Sequence, residues 1–218
     1  MDDTLGSVLV RACHRYGGRT AIVGRDGSRT FSDLLERGSK LANALIGLGL
    51  KPGDHVAALL EDTASAFEVY VGCAIGGFPI VHINDRLVSR EVDFILNDSD
   101  SKVLIHTDGR SATIETLESI SELRAVVTIG KNEPKGAKDY EALLEKASST
   151  TPEDRRVGED LAILGYTSGT TGFPKGAMAS HRAVVGCMKL IPYAYRLPMY
   201  GRCAFTGTLS FVSGIWGV

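Results

Sequence analysis

Between Thr167 and Lys175 the chain reads Thr-Ser-Gly-Thr-Thr-Gly-Phe-Pro-Lys, and these residue types at this spacing suit an anion receptor. Glycine lets consecutive backbone N–H groups turn toward one point and form a concavity for phosphate oxygens. Gly169 and Gly172 supply that freedom, and the hydroxyls of Thr167, Ser168, Thr170 and Thr171 add rotatable donors. Lys175 adds the point charge that a polyphosphate requires. The order is not that of a Walker loop, in which Gly-Lys is followed by Ser or Thr; here Pro174 precedes the lysine and Gly176 follows it. A dinucleotide fingerprint is absent too, since no G-x-G-x-x-G joins a strand to a helix. A Ser/Thr/Gly-rich segment alone is more often a surface turn. The lysine at a fixed offset and the apolar strand in front of it argue for a binding loop.

Such a loop needs elements that hold it. Leu161 to Tyr166 reads as a buried strand leading into it, and residues 180–191 read as a helix after it. Upstream, helices are expected at residues 4–16, 63–76, 89–97, 110–119 and 139–147. A further one, capped by Ser32, carries the stripe Leu34, Leu41, Leu45 and Leu48 and ends near Gly49. Strands are expected at 20–24, 29–31, 55–60, 78–83, 102–106 and 125–129, with turns at Asp26-Gly27 and Lys51–Asp54. Short apolar strands alternating with amphipathic helices predict an α/β fold, a largely parallel sheet flanked by helices. The polar stretch 148–160 is the candidate internal link. The final residues, Phe211 to Val218, are apolar, and because domain ends usually lie at the surface this predicts a domain cut short.

Composition excludes several classes. With 44% hydrophobic and 23% charged residues among 218, the chain has the balance of an ordinary globular protein. Its net charge of −2 gives no general attraction to nucleic acid or anionic lipid, so a phosphate site must be local. Cys13, Cys73, Cys187 and Cys203 are far apart among apolar or small neighbours and read as reduced, buried thiols. The histidines have no zinc-like spacing, and no metal ligands are assigned. The acidic start lacks the basic and apolar regions of an export signal, and no apolar run approaches the roughly 20 residues of a membrane span. A cytoplasmic location is expected.

The segment Tyr166 to Met178 resembles the phosphate loop of the adenylate-forming (AMP-binding) superfamily, which includes acyl-CoA synthetases, adenylation domains of peptide synthetases and firefly luciferase. Thr30–Leu34, Leu41–Leu45, Gly49–Ala57, Asn84–Leu87, Ile95–Ser99 and Lys102–Ile105 are similar to the opening of such enzymes. The resemblance runs over essentially the whole chain and is nearest to the acyl-CoA synthetase, or fatty-acid–CoA ligase, branch. It implies that residues 1–218 are a partial amino-terminal AMP-binding domain, without the carboxy-terminal domain that carries the family's catalytic lysine.

The resemblance further implies a two-step ligase. A carboxylate attacks the α-phosphorus of ATP, giving an acyl-adenylate and pyrophosphate, and coenzyme A then displaces AMP. Thr167, Ser168, Gly169, Thr170, Thr171, Gly172 and Lys175 would hold the β- and γ-phosphates. Mg²⁺ would be bound mostly by phosphate oxygens and water, and coenzyme A mainly by the part not present. The expected partners are a carboxylic, in particular a fatty, acid, ATP and coenzyme A, with a dimer left open; this chain alone is expected to be inactive. An adenylation domain feeding a carrier protein, or a non-catalytic nucleotide- or partner-binding module, are the alternatives. One departure lies inside the chain: Phe211 stands where the family's Pro-Leu-Phe-His-like segment has histidine, and this bears on substrate. His181 is expected to cap the helix after the loop, His82 and His106 to be packing or surface residues, and Trp216 to be core.

Overall fold

A computed structural model describes residues 3–153, 156–167, 174–197 and 201–204. Helix α1 (Leu5–Tyr16) and an antiparallel ribbon, β1 (Thr20–Gly24) with β2 (Gly27–Thr30), open the chain. There follow α2 (Phe31–Gly47), β3 (Val56–Leu59), α3 (Ala64–Gly76), β4 (Ile80–His82), α4 (Ser89–Asp98) and β5 (Val103–Thr107). Next come α5 (Ser111–Ile114), β6 (Ala125–Ile129), β7 (Lys138–Asp139), α6 (Tyr140–Glu145), β8 (Leu161–Thr167), β9 (Lys175–Ser180) and α7 (His181–Ala194).

Among the described residues, seven strands form one sheet in the order β7-β6-β5-β3-β4-β8-β9. Every pairing is parallel except β8 with β9. Both faces are covered, as a parallel sheet requires. Val56 and Ala58 of β3 enter the core that α2, α3, α6 and α7 close with Leu41, Val69, Tyr140 and Val184. Ala57 and Leu59 enter the opposite core, closed by Val92 and Ile95 of α4 and Ile114 of α5. This period of two is what sends alternate side chains to opposite helical layers.

The expected α/β class is therefore observed, with local differences. Thr30, not Ser32, caps α2: its hydroxyl accepts the Asp33 N–H at 3.1 Å, and the Asp33 carboxylate accepts the Thr30 N–H at 2.8 Å. This reciprocal pair satisfies two otherwise orphaned donors. The helix expected over 110–119 shrinks to α5, between a 3-10 turn at Asp108–Arg110 and another at Ser119–Glu122. β-branched Thr113, Ile114 and Thr116 weaken helix there, and the Thr116 hydroxyl donates to the Thr113 carbonyl at 2.8 Å. Two strands were not foreseen, β7 and β9.

The polar stretch after α6 does not hang free. The Asn43 amide donates to the carbonyls of Ser148 and Thr150, both at 2.8 Å, and Ser39 and Thr151 share a hydroxyl hydrogen bond. Among the described cysteines, all unbridged, Cys13 and Cys73 are buried, whereas Cys187 is half-buried and Cys203 exposed, contrary to the expectation of four buried thiols. Burial pushes the Cys73 thiol up to about 12. No described helix is long and apolar enough to cross a membrane.

Candidate functional site

The strands β3, β4, β5, β6 and β8 run parallel, so their carboxyl ends share one edge of the sheet. In open α/β sheets ligands bind beyond that edge, commonly where the connections leave adjacent strands in opposite directions. Here that place lies between β3 and β5, because β3 leads to β4 on one side and β5 to β6 on the other. Loops that leave these strands meet there. The Glu61 N–H donates to the Thr107 hydroxyl at 3.3 Å, and a Cβ at Gly109 would meet the Glu61 carboxylate at 2.8 Å. Asp108 accepts the Lys131 N–H at 2.9 Å, and Arg110 pairs with Asp85 at 3.1 Å.

At the same edge the β8–β9 hairpin is built differently. β8 is buried through Ala162, Ile163 and Leu164 and emerges at Tyr166 and Thr167. Antiparallel pairing sets Tyr166 opposite Gly176 and Thr167 opposite Lys175. Directly opposed residues project to the same face, so Thr167 and Lys175, both exposed, share one side of the hairpin mouth. The Thr167 hydroxyl points to the Lys175 carbonyl at 3.5 Å. Lys175 has no ion-pair partner among the described residues. Ser168, Gly169, Thr170, Thr171 and Gly172 lie outside the described residues, as do Phe211 and Trp216. The structure thus brings together the first and last of the seven site residues read from the sequence.

Tyr166 holds the other face of the mouth. Its hydroxyl donates to the Asp98 carboxylate at 2.6 Å, and its ring lies over Gly176, where a Cβ would stand 3.3 Å from Tyr166 Cζ and 3.1 Å from Leu164 Cδ1. Burial first, and then the hydrogen bond to Asp98, push the Tyr166 phenol up, which keeps it a donor at neutral pH. Sequence reading gave Tyr166 and Asp98 no role, although both lie within segments that carry the family resemblance.

His82, His106 and His181 have structural partners. Ser180 caps α7 by accepting the Ala183 N–H at 3.3 Å. His181 serves a different helix from the expected one: its Nδ1 accepts the N–H of Leu5, at the start of α1, at 3.2 Å. His82 is buried against the Tyr70 hydroxyl. His106 is buried between the Thr107 carbonyl and the Thr128 hydroxyl. Among the described residues no three His, Cys, Asp or Glu side chains are grouped to hold a metal.

Comparison with known proteins extends this picture. A feruloyl-CoA synthase of an Amycolatopsis species is 36% identical over 178 residues, covering 81% of this chain and 33% of its own. A fatty acid–[acyl-carrier-protein] ligase of Streptomyces coeruleorubidus is 32% identical over 155 residues, covering 71% of this chain and 28% of its own. The chain therefore spans about a third of the length of curated relatives it matches. The crystal structure of the anthranilate CoA ligase AuaEII with anthranoyl-AMP superposes with a TM-score of 0.81 at 28% identity, over 86% of this chain and 36% of that one. The profile described as AMP-binding enzyme matches residues 9–218, and the chain belongs to that family.

Proposed function

We propose that the intact protein carrying this chain is an ATP-dependent acid–thiol ligase that activates a carboxylic acid as its acyl-adenylate and transfers the acyl group to coenzyme A. In this reading residues 1–218 are part of its amino-terminal AMP-binding domain. The observation that carries it is the hairpin mouth, where Thr167 and Lys175 face the same side and Lys175 has no internal counter-ion among the described residues. A loop closed at its base by a paired threonine and lysine can gather donors around a pyrophosphate leaving group. When the substrate carboxylate attacks the α-phosphorus, the bond to the β-phosphate oxygen breaks and negative charge grows on pyrophosphate. Donors already aimed at that charge lower the barrier. Lys175 is assigned the β- and γ-phosphates, with Thr167, Ser168, Gly169, Thr170, Thr171 and Gly172 supplying hydroxyl and N–H donors.

Mg²⁺ is assigned to phosphate oxygens and water rather than to side chains of this chain. Bound there, it would share the neutralisation of the leaving group. The acid is proposed to be fatty or aryl, since the relatives' names include both. A carrier protein in place of coenzyme A is the second reading, favoured by the name of the Streptomyces relative.

The test is acid-dependent ATP–pyrophosphate exchange by the intact protein, screened over saturated fatty acids, ferulate and anthranilate. With the acid that supports exchange, Lys175→Ala is expected to slow it by roughly 100- to 1,000-fold, the scale of removing one oxyanion donor. Undiminished exchange would remove Lys175 from the mechanism. Transfer to coenzyme A, as against a phosphopantetheinyl carrier protein, decides the acceptor.

A further inference from the structure

Asp98 ends α4, where the helix dipole presents its negative pole and a carboxylate is locally disfavoured. A side chain that sits against a local rule calls for a compensating partner. Asp98 is exposed, and the partner that justifies it lies 68 positions away: the Tyr166 hydroxyl, at 2.6 Å. Tyr166 is the residue before Thr167, and its ring covers Gly176, the residue after Lys175. One aromatic side chain therefore touches the hairpin on both strands while its far end is fixed to α4, in the helical layer on its own side of the sheet. Gly176 gives the ring room, because a side chain there would press on it and on Leu164 by a few tenths of an ångström.

We propose that Asp98 and Tyr166 form a positioning clamp for the phosphate loop, holding the hairpin mouth against α4 so that Thr167 and Lys175 meet the β- and γ-phosphates of ATP. The clamp rests on the phosphate-loop reading given above. Neither residue touches the reacting atoms. They act through the placement of the loop's two ends, and small misplacements of binding groups carry large penalties. The phenol is the donor and the carboxylate the acceptor, so the contact needs an oxygen at position 98 and a hydroxyl at position 166.

The experiment is calorimetric binding of MgATP and of AMP to the intact protein. Asp98→Ala and Tyr166→Phe are each expected to weaken MgATP about ten-fold, the scale of one hydrogen bond to a charged group, and to leave AMP, which lacks the two outer phosphates, within about two-fold. The double variant should be no weaker than either single one, because both remove the same contact. Asp98→Asn, which keeps an acceptor, should recover most of the loss. Equal weakening of ATP and AMP, or additive losses in the double variant, would overturn the clamp, since general damage to the fold predicts both. Lys175→Ala separates the two levels of the argument. If it weakens MgATP and the clamp variants do not, the clamp alone is wrong. If it leaves MgATP untouched, the phosphate-loop reading fails and takes the clamp with it.

Discussion

Glu68 and Lys175 carry opposite charges in opposite circumstances, and the contrast separates what holds the molecule together from what it offers to a ligand. Glu68, in the middle of α3, is fully buried. Arg29 of β2 hydrogen-bonds one of its oxygens at 2.6 Å, while Arg37 of α2 pairs with the other at 2.7 Å. The Tyr140 hydroxyl of α6 donates to that second oxygen at 3.1 Å. Arg37 also forks onto the Glu141 carboxylate at 2.6 and 3.0 Å. A buried ion costs several kcal/mol to desolvate, so it persists only with partners on every side. Lys175 is exposed and stays hydrated at little cost. Nothing obliges the chain to neutralise it, and its charge is left to act outward.

Removing each charge should therefore damage different properties. Glu68→Ala removes the buried partner that Arg29 and Arg37 share, leaving Arg37 its fork onto Glu141, and is expected to lower the free energy of unfolding by about 3 kcal/mol, read as a lower urea midpoint at unchanged slope. Lys175→Ala should stay within about 0.5 kcal/mol of the parent in the same titration, although it is the variant expected to lose exchange activity. If the two variants lost similar stability, the contrast would dissolve and Lys175 would be a structural residue. A smaller effect sharpens the point. Tyr140→Phe removes one hydrogen bond to Glu68 and keeps the ring in its buried place, so a loss of about 1–2 kcal/mol is expected. A neutral outcome would mean that the two arginines alone satisfy the carboxylate.

These two regions were unequally legible in the sequence. The candidate loop was legible, though not the hairpin that carries its ends, because Thr167 through Lys175 stand side by side in the chain and their types suit the proposed anion receptor. The alternation of strands and helices was legible for the same reason, since burial by period needs only near neighbours. The Glu68 cluster assembles residues from positions 29, 37, 68 and 140, and only a lone glutamate within an apolar helix hinted at it. The Tyr166–Asp98 contact spans two elements and left no local trace. β9 escaped for a different reason. Lys-Gly-Ala-Met-Ala-Ser lacks β-branched residues, and its strand state comes from pairing with β8, not from propensity. The His181 assignment erred by one level of structure: the residue does serve a helix end, but that of α1, which lies 176 positions away.

His106 extends the contrast to a second buried group, and its effect is the smallest. It lies on β5, fully buried, with ring nitrogens facing the Thr107 carbonyl and the Thr128 hydroxyl, each at 2.9 Å. A carbonyl can only accept, so Nδ1 carries the proton in the neutral ring and Nε2 accepts from Thr128. Burial lowers the imidazole below its usual value of 6.5, outweighing the Thr107 carbonyl and the Asp108 carboxylate, which both act to raise it. The sign follows from linkage: below about pH 6.5 the unfolded chain takes up a proton that the folded chain resists. The contribution is thus complete above that pH and is lost progressively as the pH falls toward the lowered folded value, by up to about 1.4 kcal/mol per pH unit. Thermal midpoints measured from pH 7.5 down to 5 should fall more steeply for the parent than for His106→Gln, whose amide can both donate and accept but does not titrate. Parallel profiles would show that His106 protonates as readily folded as unfolded. In that case burial at β5 would not enforce neutrality, and the rule drawn from Glu68, that an interior charge survives only with a full set of partners, would lose its second example.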